Sequence, residues 1–122
     1  MAEINRRYYD TGELEYEYFE INGKKEGKYK YYFRNGNLYE NHTYIDGKMN
    51  GESKLYYNNG QLWIIGTYIN DKINGEFKEY YENGQLKVIE TYIDGNKNGE
   101  SKQYYSNGQL KIICTYFDGK KN

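Results

Sequence analysis

Apolar and polar residues alternate in short runs along this chain, and glycine punctuates the runs. Around Asn83-Gly84, Phe77, Glu79 and Tyr81 fall in one alternation and Lys78 and Tyr80 in the other, the two-residue period of a β-strand. No 3.6-residue period survives, because glycine or a β-branched residue interrupts every candidate helical window. The alternation itself repeats. Gly12, Gly36, Gly60, Gly84 and Gly108 stand 24 residues apart, as do Gly27, Gly51, Gly75 and Gly99, and Leu and Tyr follow the same phase at Leu86 and Tyr80 and their counterparts. Residues 3–122 divide into five units, 3–26, 27–50, 51–74, 75–98 and 99–122, which read as one repeat domain.

Each unit predicts two strands. Asn83-Gly84 between β-prone runs is a strong hairpin signal, and a two-residue type I′ loop would hold both residues at positive φ. Tyr81 would then oppose Leu86, Glu79 oppose Val88 and Phe77 oppose Glu90 on one side of the sheet. Tyr80, Lys87, Lys78, Ile89 and Thr91 would share the other side, while a three-residue loop with a bulge would shift these assignments by one. Residues 94–99, DGNKNG, turn the chain into the next unit, so that every glycine is assigned to a turn. The expected fold is all-β: an elongated, curved, single-layer antiparallel meander of ten strands, with an aromatic trough on one face. Its two edge strands would favour end-to-end self-association.

Composition sharpens this picture. Among 122 residues there are 18 Tyr, 14 Gly and no Pro, with 37% hydrophobic residues, so tyrosine must supply much of the buried area. A net charge of −1 provides no broad basic field and argues against general nucleic-acid binding. Cys114 is the only cysteine, which excludes an internal disulfide. No apolar run approaches the ~20 residues of a transmembrane segment. The first ten residues carry no signal-peptide pattern: the chain as written reads as cytoplasmic, or as secreted or envelope-bound if a leader has been removed.

The pattern G-x-x-x-x-Y-Y-x-N-G-Q-L-x-x-x-x-x-Y-x-D-G-K runs in full from Gly99 to Lys120, and recurs from Gly51 to Lys72 and from Gly75 to Asn96 with departures only among its last three positions. It resembles a bacterial variant of the MORN repeat, the YwqK-like antitoxin family. The likeness weakens in the first unit, where Asp10-Thr11-Gly12 and Phe19-Glu20-Ile21 depart from the pattern. The resemblance implies successive hairpins in an elongated curved sheet, an interaction or scaffold role, and no catalytic residues.

The chemistry-bearing residues point the same way. Asp94–Gly99 matches the start of a calcium loop, but Tyr105 stands where the bidentate glutamate belongs, so a β-turn is the expectation. His42 lacks a second ligand at metal spacing, and Cys114 reads as a structural thiol in an inner column with Tyr18, His42, Gly66 and Glu90. No catalytic residue, cofactor or metal is expected. One column varies along the array: Glu15, Tyr39, Trp63, Lys87 and Lys111. Ile65 belongs to a neighbouring column assigned to the same face. A column running from acidic through aromatic to basic reads either as a recognition strip for another protein or as drift on a solvated face, where scattered apolar side chains are normal. The first unit carries seven acidic and four basic side chains, net −3, and the other 96 residues net +2. The expected function is therefore non-enzymatic protein binding, as an antitoxin or immunity-like component. The alternative is a secreted or envelope repeat that binds host proteins, glycans or lipid headgroups.

Overall fold

Two kinds of chain reversal alternate along the molecule, and a computed structural model describing residues 2–121 shows what each contributes. One is the two-residue loop. Asn22-Gly23, Asp46-Gly47, Asn70-Asp71, Asp94-Gly95 and Asp118-Gly119 all have positive φ at both positions, the signature of type I′. The other lies at the NG phrase, and here the expectation of type I′ is corrected. Gly84 N–H donates to Tyr81 O at 2.9 Å and Tyr81 N–H to Gln85 O at 2.9 Å, giving a three-residue loop in which only Gly84 has positive φ (89°). Asn83 keeps to the ordinary side of φ because its side-chain oxygen accepts the Gln85 N–H at 2.9 Å, which bridges the loop from outside. Asn35, Asn59 and Asn107 make the same bond in their units.

The strands between these turns are β1 (Ala2–Tyr8), β2 (Leu14–Ile21), β3 (Lys24–Tyr32), β4 (Leu38–Ile45), β5 (Lys48–Met49), β6 (Gly51–Tyr56) and β7 (Leu62–Ile69). They continue as β8 (Lys72–Tyr80), β9 (Leu86–Ile93), β10 (Asn96–Lys97), β11 (Gly99–Tyr104), β12 (Leu110–Phe117) and β13 (Lys120–Lys121). All 13 join one open antiparallel sheet in chain order. β5 and β6 are two parts of one rung, as are β10 and β11, and β13 adds a short eleventh rung to the ten expected. The described residues form no helix long and apolar enough to cross a membrane.

Two irregularities per unit set which side chains share a face. Pairing runs Phe77↔Glu90 and Glu79↔Val88, then slips so that Tyr80 pairs Leu86, leaving Lys87 as the extra residue of a β-bulge. The same slip recurs in every unit, at Tyr8↔Leu14, Tyr32↔Leu38, Tyr56↔Leu62 and Tyr104↔Leu110. Leu86 and Lys87 therefore exchange the faces expected of them. The second irregularity sits at Gly27, Gly51, Gly75 and Gly99, with φ from 85° to 105°. These glycines lie within or at the start of strands where the register shifts, not in turns. Gly66, also inside a strand, has an ordinary φ, and a Cβ there would make van der Waals contact with Ile73 Cδ1 at 3.4 Å and Phe77 Cδ2 at 3.5 Å.

Among the described residues nothing covers this single layer and no apolar side chain is fully buried. Stability must then come from neighbours in the sheet. Rings on one face touch in sequence: Tyr16 and Tyr31 at 6.0 Å, Tyr18 and Tyr29 at 5.5 Å, Phe33 and Tyr39 at 4.5 Å, and Tyr57 and Trp63 at 5.5 Å. Each such pair adds about 0.5–1.5 kcal/mol beyond its buried area. Along one rim, Tyr57 Oη donates to Tyr80 O at 2.6 Å and Tyr81 Oη to Tyr104 O at 2.7 Å, and Tyr9 makes the same bond to Tyr32. Along the other rim, the turn N–H of Gly47, Asp71, Gly95 and Gly119 donates back to the preceding unit at 2.8–3.0 Å. Successive units are thus stitched along both rims, with one tyrosine stitch missing at Phe33.

Phe33 occupies the stitching-tyrosine position without a hydroxyl. Phe33→Tyr should supply the missing bond to Tyr56 O and raise stability in urea melts, whereas Tyr81→Phe should lose about 0.5–1.5 kcal/mol. Gly84→Val, forced to positive φ with Gln61 Oε1 3.4 Å from its Cβ, should cost more than ~1 kcal/mol. Gly108→Val should cost less, because its hairpin has a full neighbouring hairpin on one side only. Equal losses at the two glycines would contradict nearest-neighbour stabilisation.

Candidate functional site

The bulge decides the composition of the candidate site. At the bulge, Lys87 leaves the face of Tyr80 and Leu86 and joins that of Glu79, Tyr81 and Val88. Its counterparts follow. Trp63 Nε1 donates to Glu79 at 3.2 Å and its ring lies against Tyr57. Tyr39 meets Tyr31 and Phe33, Tyr31 Oη donates to Glu15 at 2.7 Å, and Lys111 Nζ lies 5.7 Å from the Tyr105 ring centroid. The structure therefore brings Glu15, Tyr39, Trp63, Lys87 and Lys111 onto the aromatic face. Ile65 is not with them, correcting the assignment of both columns to one side. It pairs with Lys78 and lies beside Glu52, Leu62, Thr67 and Tyr80 on the opposite face.

At one end of the strip an open cleft of about 500 Å³ is lined by Tyr9, Tyr31, Phe33, Arg34 and Tyr39, among others. The Arg34 guanidinium sits 4.7 Å from the Tyr9 ring centroid and is paired to Asp10 at 2.7 Å. The bond to Glu15, together with burial, pushes the Tyr31 hydroxyl up to about 12, so this phenol stays protonated and acts as a donor. Toward the other end, one hairpin before Lys111, Lys87 bridges the Tyr81 ring and Glu79, 3.5 Å from the carboxylate. The surface grades from acid through aromatic to base across five hairpins.

The centre of the same face is a cross-strand ladder, Tyr18, Tyr29, His42, Ser53, Gly66, Phe77, Glu90, Ser101 and Cys114. Large and small side chains share its length, and its polar members are buried, with Glu90 6% exposed and His42 9%. His42 Nδ1 lies 2.6 Å from Ser53 Oγ and Nε2 lies 3.0 Å from Glu40, a Ser-His-Glu chain that sequence reading missed. Its role is visible two units later, where Ser101 Oγ donates to Glu90 at 2.8 Å at the equivalent register. In both places serine satisfies whatever polar group lies across the strand gap. The signal was present in the sequence as serine recurring at 53 and 101. Cys114 is half-buried at the end of the ladder. Near the opposite end, Lys25 Nζ lies 5.4–5.6 Å from the ring centroids of Tyr18, Tyr29 and Tyr44.

Glu90 also accepts from Lys97 at 2.8 Å and Tyr92 at 3.2 Å. Burial alone would raise its carboxyl, but the bonds from Lys97 and Ser101 outweigh burial and hold it below the ordinary carboxylate value. Lys97 is raised in turn, chiefly by its bond to Glu90. The opposite face carries an exposed apolar row, Ile21, Ile45, Ile69, Ile93 and Phe117, one residue per unit.

This repeated hairpin with its bulge and stitched rims defines a β-hairpin repeat protein. Residues 25–46, 49–70, 73–94 and 97–118 match the MORN repeat variant, and the chain belongs to that family of repeat binding modules. The matches begin at Lys25, leaving outside them residues 3–24, nearly all of the first unit and the loosest copy of the pattern. No curated protein matches the chain.

A depressed carboxyl contributes stability above its unfolded value and loses it as pH falls through the folded one. Glu90→Gln should therefore cost about 1–3 kcal/mol at neutral pH, with the gap to wild type closing in acid. Thermal melts of both proteins across an acid series check this. A gap independent of pH would assign Glu90 to packing alone.

Proposed function

We propose that this chain is a non-enzymatic binding module that docks another protein across its aromatic face, with Glu15, Tyr39, Trp63, Lys87 and Lys111 as the central strip. The observation that carries the reading is the contrast between columns. Turn glycines, bulges and stitching tyrosines recur with few departures, whereas the five bulge positions change from acid to aromatic to base on one face. Scaffold demands recur with the unit, and a surface shaped for one partner need not. Trp63 and Tyr39, held half-buried against Tyr57 and Phe33, have the character of hot-spot residues: large, amphipathic and already ordered. The Ser53–His42–Glu40 chain supports a non-enzymatic role, since its hydrogen bonding has a structural counterpart at Ser101–Glu90. Within this reading the partner is a toxin, and the module neutralises it by covering a surface the toxin needs. Charged ends suit such a role, because rim charges speed encounter while the aromatic centre sets residence time.

The test begins with capture of a partner from the source organism and proceeds to measured affinity and toxicity. Trp63→Ala should weaken binding by at least ~2 kcal/mol, roughly thirtyfold. Because Trp63 is half-buried and bonded to Glu79, its loss should also lower the melting midpoint, so affinity is measured where both proteins are folded. Ile65→Ala, half-buried on the opposite face, is the matched control and should bind as wild type. Equal affinity for wild type and Trp63→Ala would remove the strip from the interface. A captured partner whose activity is unaffected by the module would remove the antitoxin role.

A further inference from the structure

The rings of Tyr9, Phe33, Tyr57, Tyr81 and Tyr105 occupy the same place in five successive hairpins. Each is flanked by a second flat or cationic side chain: Arg34 over Tyr9, Tyr39 on Phe33, Trp63 on Tyr57, Lys87 over Tyr81 and Lys111 over Tyr105. Two strands separate one ring from the next, so at about 4.8 Å per strand the step is roughly 9.6 Å. A polyproline II helix rises about 3.1 Å per residue with three residues per turn and presents the same face every ~9.3 Å. Over four steps the two periods drift apart by only about 1 Å. An extended strand repeats a face every ~6.8 Å and an α-helix every ~5.4 Å, and both fall out of phase within two rings.

Hydrogen bonding favours the same ligand. The hydroxyls of Tyr9, Tyr57 and Tyr81 and the indole N–H of Trp63 already donate within the chain. What these side chains offer a partner is ring surface, which suits proline rings on a backbone that needs no ladder partners. Charge gives the track two distinct ends: at the first hairpin Asp10, Glu13 and Glu15 outnumber Arg7 and Arg34, which pair with Glu15 and Asp10, while at the last two stand Lys111 and Lys87, the latter paired with Glu79.

We propose that this row is a docking track for a polyproline II segment of a partner protein. Prolines at every third residue seat between successive rings, with a basic residue over Glu13 and Glu15 and an acidic residue over Lys87 and Lys111. Five rings span roughly 38 Å, the length of about 12 residues of such a helix. The proposal rests on the reading that the aromatic face binds a protein.

Trp63, the only tryptophan, lies in the track, so its emission reports occupancy. The probe is a synthetic peptide of about 12 residues with proline at every third position, arginine at one end and glutamate at the other. Its control has the same composition and length, with the prolines moved off the three-residue spacing. The period-three peptide should change Trp63 emission saturably and bind at least about tenfold more tightly than the control. Phe33→Leu, which keeps apolar packing but removes a ring, should weaken it severalfold, with folding verified by circular dichroism. Ile65→Ala should leave it unchanged. Equal binding of the two peptides, or no saturable response to either, overturns the polyproline assignment. If the captured partner still loses affinity with Trp63→Ala in that case, the docking face stands and only its ligand class falls.

Discussion

Among the described residues nothing packs against either face of this sheet, and that absence of a second layer governs the rest of the structure. In an ordinary domain apolar residues disappear between layers; here each side chain is covered only by its neighbours along and across the strands. Tyrosine suits this constraint. Its ring covers a neighbouring ring while its hydroxyl remains at the rim or finds a carbonyl one unit away, as Tyr57 does at Tyr80. The same constraint explains why the most buried side chains are polar. In a layer one side chain deep, the middle of the ladder is the driest place, and serine, histidine and glutamate there must satisfy one another.

The glycine phase made the architecture legible without coordinates, because a five-fold repetition of turn residues admits few alternatives to a meander. The faces were less legible. Both the two-residue and the three-residue loop were compatible with Asn83-Gly84, and the decision rested on the asparagine side chain, whose bond to Gln85 N–H makes positive φ at Asn83 unnecessary. The bulge at Lys87 then restored the register beyond the loop. Phe77, Glu79, Val88 and Glu90 accordingly fell where alternation placed them, while Leu86 and Lys87 did not. An error confined to two residues per unit still separated Trp63 from Ile65, and so redefined the candidate surface.

That bulge also has a constructive side. A residue inserted into a strand is freed from strict alternation and can lean over the loop ring next to it, as Trp63 leans on Tyr57 and Lys87 on Tyr81. Its ladder partner is lost anyway, so the position tolerates glutamate, tyrosine, tryptophan or lysine without disturbing the hydrogen bonds that hold the sheet. Variation is thereby concentrated where it costs the scaffold least and where the side chains remain within reach of a partner. On the proposed reading, scaffold and recognition are separated by one residue of register.

Strand order equals chain order, with β1 at one end of the ribbon and β12 and β13 at the other. A pull on the two termini would therefore run along the hydrogen bonds, loading them rung by rung instead of shearing many at once. Strands in this geometry peel from an edge, and each unit of 24 residues that lets go releases roughly 70 Å of slack. Under such a load the molecule would lengthen stepwise, yielding at low force and recoiling one hairpin at a time.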